Sequence, residues 1–518
     1  MKYLYTLSIL GFILFASSCR KDFETTPSSG NLTFSKDTVY LDTVFTNIGS
    51  STYNLKVYNK SNEDISIPTV KLANGESSKY RLNVDGIPGK SFENIQIMAN
   101  DSIFIFIETT VDIQEVSNND LQFLYTDKII FDSSDNQQEV SLVTLVKDAV
   151  FLYPEQFQDG TTETLVLGQD DEGNDIEIYG FFLDDTELHF TNEKPYVIYG
   201  YAAVPPTKTL QIDPGARIHF HADSGILVAN QASIKANGTP SLDPELLEGE
   251  IIFEGDRLEP DFSDVPGQWG TLWLTNGSTD NEFSYTTIKN SLVGILMDNN
   301  DGDRTLTLKN VQIYNSAVDG LQIKTGDVYG ENVVISNSGQ SSLSCLLGGR
   351  YTFKHCTFSN YWSNSFRSFP AVQISNAFAT QEQIFISDLY EANFENCIIY
   401  GSEQREFSLY QEEGAAFNFN FKNSLLRFED PNGDFQDDTN YDLNNTEIYT
   451  NCVFNEDPKF QNTSANNYNI ETGTSAADGI GDSTTASQVP IDLNGINRNT
   501  SAPDAGAYES IVFPDEGD

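Results

Sequence analysis

The feature that most constrains the fold of this chain is a four-residue pattern that recurs through its second half. Its copies are YTTI (285–288), NVQI (310–313), NVVI (332–335), HCTF (355–358), NCII (396–399), NSLL (423–426) and NCVF (451–454). Successive copies are 25, 22, 23, 41, 27 and 28 residues apart. Periods in this range are typical of solenoids, in which each repeat packs on its neighbours. The step of 41 residues predicts a loop or an additional coil at about 366–392.

This repeat predicts a right-handed parallel β-helix with a closing coil over residues 149–510. Each coil would contribute short strands that stack on the next coil, about 4.8 Å further along the axis. Several copies are followed by a further asparagine or glycine, namely Asn290, Asn315, Asn337, Asn360 and Gly401. Asparagines at a recurrent bend can form a ladder of amide hydrogen bonds. We therefore expect side-chain amides to stack along one corner.

The second position of the pattern indicates the state of the cysteines. It is occupied by Val311, Val333, Cys356, Cys397, Ser424 and Cys452. Cysteines that share a position with valine behave as small buried apolar residues. We expect reduced thiols, with disulfides as the alternative in a secreted protein. The sequence has no CxxC motif, so it does not indicate a cysteine zinc site.

Residues 31–148 show a different pattern, of short alternating strands separated by turn residues. TVYLDTVF (38–45), YNLKVYN (53–59) and IFIFIETTVD (103–112) are clear examples. Strands at this spacing predict an antiparallel β-sandwich. The 35 Phe and 24 Tyr of the chain can bury a large apolar area. The whole chain is therefore predicted to be all-β.

The charge of the chain restricts its partners. The 76 acidic residues outnumber the 29 basic ones, and the formal net charge is −47. Such a field repels nucleic acid and anionic membrane surfaces. It also opposes a polyanionic substrate unless calcium bridges the two. Nucleic acid is therefore excluded as a partner.

The N-terminus has the features of an export signal. Residues 1–18 contain Lys2, an apolar run too short to span a bilayer, and small residues before Cys19. This end resembles the lipobox of bacterial lipoproteins of the Bacteroidetes type, with Ala16 where leucine is usual. The resemblance implies lipidation at Cys19, a tether over 19–30, and anchorage in the outer membrane facing outward. Residues 511–518 are predicted to be an acidic tail on a monomer.

Two further resemblances concern the folds. The TNIG stretch at 46–49 resembles immunoglobulin-like modules of bacterial surface proteins. Pro214-Gly215, Gly238-Thr239 and the stretch 269–272 resemble the opening coils of secreted bacterial β-helix proteins, although Thr271 departs from that pattern. The known enzymes of that group act on polysaccharides. This resemblance implies a fold and says little about chemistry.

Two segments carry residues suited to a ligand or an ion. Tyr361, Trp362 and Phe366 form an aromatic group in a predicted loop, which is either a glycan platform or an anchor for the loop. Asp298, Asp301 and Asp303 lie in an oxygen-rich turn of the kind that binds calcium. A solvated turn is the alternative. No cofactor is otherwise required.

Three other groups have a chemical and a structural interpretation. Arg350, Lys354 and His355 share one coil and could form a basic cluster. His219 and His221 point to one side of a strand near Asp223, as a metal site would need. In both cases solvated surface residues are the competing interpretation. No residue is predicted to be catalytic.

The stretch DLNGINRNTSAPDAGAYE (492–509) is predicted to close the fold. In this interpretation Arg498 pairs with Asp492 or Asp504, and Tyr508 covers the end of the core. Taken together, the sequence predicts non-catalytic binding of a polysaccharide or another surface protein. A polysaccharide lyase or glycoside hydrolase is one alternative, and a structural spacer is another.

Overall fold

The computed structural model describes residues 25–117, 120–132, 136–170, 172–298, 303–380 and 383–514. Nearly all regular elements in these ranges are strands, which confirms the prediction of an all-β chain. The chain divides into two compact units, Met1–Asp148 and Ala149–Asp518. Within the described ranges, no helix is long and apolar enough to cross a membrane. The predicted signal peptide and Cys19 lie outside these ranges.

The first unit consists of two sheets around one core. Its elements are β1 (Thr26–Pro27), β2 (Thr33–Phe34), β3 (Thr38–Phe45), β4 (Tyr53–Tyr58), β5 (Ile65–Leu72), β6 (Tyr80–Val84), β7 (Ile87–Gly89), β8 (Ser91–Ile97), β9 (Ser102–Thr109), α1 (Ile113–Val116), β10 (Gln122–Phe131) and β11 (Gln138–Lys147).

One sheet has the order β1-β5-β10-β11-β3 with β8 on β5, and the other has the order β2-β4-β9-β6-β7. Most neighbours are antiparallel, but β1 pairs with β5 and β11 with β3 in parallel. The alternation of buried and exposed side chains sets the faces. In β9, Ile103, Ile105 and Ile107 point into the core and Phe104 and Phe106 point outward.

The second unit contains the repeat. Its elements are β12 (Val150–Leu152), β13 (Thr164–Gln169), β14 (Asp175–Phe182), β15 (His189–Phe190), β16 (Tyr196–Ile198), β17 (Tyr201–Val204), β18 (Thr209–Ile212), β19 (Arg217–Phe220), β20 (Gly225–Val228), β21 (Ser233–Asn237), β22 (Ile251–Gly255), β23 (Leu272–Leu274), β24 (Asn281–Lys289), β25 (Ile295–Met297), β26 (Leu306–Ser316), β27 (Leu321–Ile323), β28 (Asp327–Ser338), β29 (Leu343–Cys345), β30 (Gly349–Lys354), β31 (Thr357–Asn360), β32 (Val372–Ser375), β33 (Ala377–Ala379), β34 (Ile384–Ile386), β35 (Leu389–Glu395), β36 (Ile398–Gly401), β37 (Phe407–Tyr410), β38 (Asn420–Lys422), β39 (Leu425–Leu426), β40 (Tyr449–Thr450), β41 (Val453–Phe454), β42 (Phe460–Asn462), β43 (Asn467–Ile470) and α2 (Ser483–Gln488).

Each central repeat contributes three strand segments to two long sheets. In one repeat these are 306–309 and 311–314, both in β26, and then β27. The first two segments join an 18-stranded sheet and the third joins a 10-stranded sheet. Each segment pairs in parallel with its equivalent in the next repeat, as β26 does with β28 and β27 with β29. We call the outer surfaces of the three segments face 1, face 2 and face 3.

The bend between the first two segments is made by the first residue of the four-residue pattern. All seven such residues have a positive φ between 44° and 54°, the left-handed region: Tyr285, Asn310, Asn332, His355, Asn396, Asn423 and Asn451. Asparagine is the side chain that adopts this conformation most readily after glycine. At this bend Asn332 Nδ2 donates to Asn310 Oδ1 at 2.8 Å. At the following corner, where the amide ladder was predicted, Asn315 Nδ2 donates to Asn290 Oδ1 at 3.4 Å, but Asn337 and Asn360 donate to Asn466 Oδ1 and to backbone carbonyl oxygens instead.

This backbone requirement gives a first prediction. Replacing Asn310 by valine, a β-branched residue, should destabilise the second unit by about 1–3 kcal/mol, because Asn310 has a φ of 54°. Asn310→Gly removes the same amide and should cost clearly less. All three tryptophans, Trp269, Trp273 and Trp362, lie in this unit, so urea unfolding followed by tryptophan fluorescence reports its stability. If both variants lower the free energy of unfolding equally, the positive φ of residue 310 is not the reason for the destabilisation.

The inside of the stack is apolar and contains the cysteines. Cys345, Cys356, Cys397 and Cys452 are free thiols, as predicted. Burial raises the pKa of the Cys345 and Cys397 thiols, which keeps them protonated and inert. An aromatic column runs through the last coils: Phe353, Phe394, Phe421 and Tyr449 stack with centroid separations of 5.4, 5.1 and 5.6 Å.

Residues 456–512, which we call the C-terminal segment, do not close the end of the stack as predicted. They lie across the outside of the coils: Ala507 N donates to Thr357 Oγ1 at 3.1 Å, and Tyr508 packs with Val334 and Tyr468. The aromatic residues that pack beyond Phe428 near the last coil are instead Phe435 and Tyr441.

The predicted partners of Arg498 are also wrong. Its guanidinium pairs with Glu509 at 3.2 Å and donates to Asn332 Oδ1 at 2.6 Å. Asp492 and Asp504 instead accept backbone N–H groups, those of Glu509 and Ser510. Glu509 lies in the same stretch of sequence, but the contact with Asn332 could not be predicted locally, because Asn332 is 166 residues away.

Candidate functional site

The predicted aromatic loop follows β31 and is fixed at both ends. At its start, Asn360 Nδ2 donates to the carbonyl oxygens of Ser338 and Gln340, both at 2.9 Å. The Oδ1 atom of the same side chain accepts from Trp362 N at 3.2 Å. The polypeptide therefore leaves the strand in a defined direction, which sets the position of Trp362.

At the other end, a buried ion pair holds the loop. Arg367 and Glu406 have side-chain exposures of 1% and 0%. Nη2 donates to Oε1 at 2.8 Å and Nη1 to Oε2 at 3.0 Å, a bidentate contact. Burial raises the pKa of Glu406, and the hydrogen bonds and charge of Arg367 oppose that rise. The pair is therefore an internal anchor and is not available to a ligand.

Beside this loop lies a cavity of about 440 Å³, which we call the Trp362 cavity. Its lining comes from the loop at 256–268, from the asparagine corner, from the aromatic loop and from the C-terminal segment. The lining residues are Asp264, Asn315, Asn337, Tyr361, Trp362, Ser363, Asn364, Thr463 and Ser464. Two of the predicted ligand-binding residues, Tyr361 and Trp362, are thus brought together with two of the predicted corner asparagines.

Hydrogen bonds hold the polar lining of the Trp362 cavity in place. Asn315 Nδ2 donates to Asp264 Oδ1 at 3.3 Å, and Asn337 Nδ2 donates to Asn466 Oδ1 at 2.6 Å. Trp362 Nε1 donates to Ser365 Oγ at 2.9 Å. The ring of Tyr361 packs edge-on against Phe460 at 6.3 Å, and burial raises the pKa of its hydroxyl. The site is therefore largely preorganised.

The chemistry of this lining suits neutral hydroxylated ligands. It combines amide, hydroxyl and carboxylate groups with an indole ring, and none of its nine residues is basic. Such groups hydrogen-bond sugar hydroxyls, while an aromatic face packs against the apolar face of a sugar ring. Asp264 is the single acid in the lining, whereas most glycoside hydrolases use two carboxyl groups.

The third predicted ligand-binding residue, Phe366, lies elsewhere. Its side chain is 90% exposed and it is not among the residues that line the cavity. It immediately precedes Arg367, whose side chain is buried and held by Glu406. The sequence pattern could not distinguish these orientations within one loop.

Sequence reasoning missed a second cavity, of about 480 Å³. It lies between the 240–250 loop and the C-terminal segment, and Glu250, Tyr285, Gln312 and Tyr508 are among its lining residues. Burial raises the pKa of Glu250, whose Oε2 accepts from Thr287 Oγ1 at 3.1 Å. Gln312 and the Asn315 of the Trp362 cavity both belong to β26, roughly 10 Å apart along the strand.

The basic cluster considered above does not form. Arg350 pairs with Glu391 at 2.6 Å and Asp327 at 3.9 Å, and Lys354 lies 4.0 Å from Glu395. His355 is fully buried beside Asn396, with 2.9 Å between Nε2 and Nδ2.

Burial, assisted by the nearby charge of Arg498, lowers the pKa of His355 well below its usual range. The outer residues of face 1 alternate in charge from coil to coil, in the order Lys309, Glu331, Lys354, Glu395 and Lys422. This face therefore presents no continuous positive surface to a polyanion.

The two histidines considered as metal ligands, His219 and His221, make separate contacts. His221 Nδ1 lies 2.8 Å from Asp256 Oδ2 and its ring stacks on Tyr199, while His219 Nδ1 lies 3.2 Å from Gly255 O. Asp223 is not among these contacts. Nowhere in the described chain do three or more His, Cys, Asp or Glu side chains group as a metal would require.

The predicted calcium turn is described only in part. Asp298 Oδ2 accepts from Trp273 Nε1 at 2.9 Å, and Asp303 is described, but Asp301 lies outside the described residues. Calcium binding at this turn therefore stays a prediction.

Comparison with known proteins adds little. No protein-family model matches the chain, and no curated protein matches it. A family 123 glycoside hydrolase from Clostridium perfringens is 10% identical, over 24% of this chain and 30% of the hydrolase, with a TM-score of 0.16. The ASH/PapD-like domain of human CEP192 is 12% identical, over 26% of this chain and 94% of that domain, with a TM-score of 0.15. Similarity at this level carries no functional argument.

Proposed function

We propose that this chain is a surface lipoprotein that binds a neutral glycan, without catalysis, through the Trp362 cavity. In this proposal the first unit is an immunoglobulin-like sandwich and the second a right-handed parallel β-helix. Support for the β-helix comes from the in-register parallel pairing of three strand segments per repeat. Support for the sandwich comes from the two sheets around one core. The lipid anchor at Cys19 rests on the sequence alone.

The observation that carries the binding proposal is the composition of the cavity. An indole and a phenol ring lie beside the amides of Asn315 and Asn337 and the carboxylate of Asp264. This combination suits a sugar, because a sugar ring has an apolar face that packs on an aromatic ring and an edge of hydroxyl groups that hydrogen-bond polar side chains. The strongly acidic chain favours a neutral glycan over a polyanionic one.

The enzymatic alternative, a polysaccharide lyase or hydrolase, has weaker support. A lyase must neutralise a uronate, but the basic residues of face 1 are paired with acids. The second cavity has a carboxylate of raised pKa, Glu250, as a hydrolase acid would need. A hydrolase also needs a second carboxylate, and the described residues that line this cavity include no second acid. A purely structural spacer would have no need of the Trp362 cavity.

Replacing Trp362 by alanine should weaken glycan binding by at least tenfold, since stacking on a sugar is lost with the indole ring. The measurement is affinity electrophoresis and calorimetry of the chain from Arg20 onward against neutral polysaccharides. Phe366→Ala removes a nearby exposed ring that does not line the cavity and serves as the matched control.

An unchanged affinity in Trp362→Ala would contradict the proposed site. Release of reducing ends or unsaturated uronates from any polysaccharide would overturn the non-catalytic assignment. In that event Glu250→Gln is the first variant to assay, because it tests the second cavity while the Trp362 cavity stays intact.

A further inference from the structure

The outer surface of the five-stranded sheet in the first unit carries two exposed phenylalanines at its centre. Phe104 and Phe106 are 46% and 43% exposed. They alternate along β9 with isoleucines that are buried in the core, so the strand register directs both rings outward. Because β9 lies between β4 and β6, the two rings occupy the middle of the sheet and not its edge.

The two rings form one flat strip. Their centroids are 6.1 Å apart and their planes differ by 14°. Exposed aromatic side chains that occur singly need no explanation, but two nearly parallel rings side by side form a continuous apolar platform. Its width is set by the strand spacing, so it is narrow and flanked on both sides by other side chains.

Polar side chains flank this strip in the strand register. On β4, Lys56 lies opposite Phe104 and Asn54 lies opposite Phe106, and on β6, Asn83 lies opposite Phe106 from the other side. Lys56 Nζ is 5.1 Å from the centre of the Phe104 ring and 5.3 Å from that of Tyr58. The strip is therefore bordered by hydrogen-bonding groups.

One of these bordering groups has an unused acceptor. The Oδ1 atom of Asn83 is buried, and no described residue donates a hydrogen bond to it. A buried polar atom without a partner is unfavourable by roughly 1–3 kcal/mol, so such atoms are uncommon. A turn of the Asn83 side chain that brings this oxygen to the surface of the strip would let a ligand hydroxyl supply the missing donor.

We propose that this surface, defined by Phe104, Phe106, Lys56, Asn54 and Asn83, is a second binding site for the sugar rings of a neutral glycan. The rings would contact the apolar face of the sugars, and the flanking amides and ammonium group would contact their hydroxyls. A protein partner fits less well, because a stable interface needs about 1,000 Å² with an apolar centre, and the apolar part here is two phenyl rings.

This site lies in the first unit and does not depend on the Trp362 cavity. The test uses the chain from Arg20 onward with Trp362→Ala, so that binding at the proposed first site is weakened at least tenfold. The probes are hexasaccharides of glucose, xylose, mannose and N-acetylglucosamine. We expect at least one of them to bind, and the double change Phe104→Ser/Phe106→Ser to weaken that binding at least tenfold.

Two controls separate ring chemistry from folding. Phe104→Tyr/Phe106→Tyr keeps both rings and should retain the affinity, and Tyr40→Ser removes an exposed ring from the other sheet and should leave it unchanged. Absence of binding by the Trp362→Ala chain, or equal binding by the Ser/Ser variant, would overturn the proposal. A loss caused by Trp362→Ala alone tests the first site separately, so failure of either proposal can be recognised.

Discussion

Replacing Arg367 by methionine should lower the free energy of unfolding of the second unit by about 3–5 kcal/mol. The substitution would leave Glu406 fully buried and without its bidentate partner. Its remaining hydrogen bonds come from the backbone N–H groups of Glu403 and Ala371, at 2.7 and 2.9 Å. Two such bonds do not compensate a buried charge.

The double variant Arg367→Met/Glu406→Gln provides the control. Glutamine removes the charge but keeps an oxygen that can accept from Ala371 N, so much of the lost stability should return. Urea unfolding followed by tryptophan fluorescence measures both variants. A double variant as unstable as Arg367→Met would show that stability depends on packing of the guanidinium and that the unpaired charge of Glu406 does not cause the loss.

Replacing Phe394 by alanine should have an effect of similar size, about 3–5 kcal/mol. This ring stacks between Phe353 and Phe421 in the aromatic column and also contacts the edge of Phe358 at 5.9 Å. Its removal would open a cavity bounded by coils that are fixed by their backbone hydrogen bonds, so the neighbouring rings can relax only partly.

The matched control is Phe366→Ala, the same chemical change at a side chain that is 90% exposed. It should alter stability by no more than about 0.5 kcal/mol. The same fluorescence-detected urea titration serves, with the slope compared as well as the midpoint. If Phe394→Ala and Phe366→Ala lower the free energy of unfolding by similar amounts, packing in the aromatic column does not contribute to stability.

Much of the strand arrangement could be predicted from the sequence, because each copy of the repeat places the same kind of residue at the same position of a coil. The second residue of each copy faces the core, which is why Val311 and Cys356 are both fully buried. The reason for asparagine at the first residue was missed, since composition does not reveal the sign of φ. Tyr285 and His355 adopt the same conformation without being asparagine, which weakened that signal further.

The site was predicted only in part for a similar reason. Trp362 and Tyr361 were recognisable as aromatics in a loop, and the corner asparagines were recognisable as a column. Asp264, Thr463 and Ser464 carried no signal, because they belong to the cavity through a loop and a C-terminal segment whose placement depends on distant contacts. The pairing of Arg367 with Glu406 was not foreseen either, because Glu406 is 39 residues further along the chain.

The course of the C-terminal segment makes the Trp362 cavity a feature of high contact order. Asn337 meets Thr463 and Asn466 across separations of 126 and 129 residues, whereas neighbouring coils meet across about one repeat. Contacts between adjacent coils close short loops and can form in sequence, but these distant contacts require the stack to exist first. We therefore expect the wall contributed by residues 463–464 to be the last part of the cavity to form, which would couple binding competence to completion of the whole second unit.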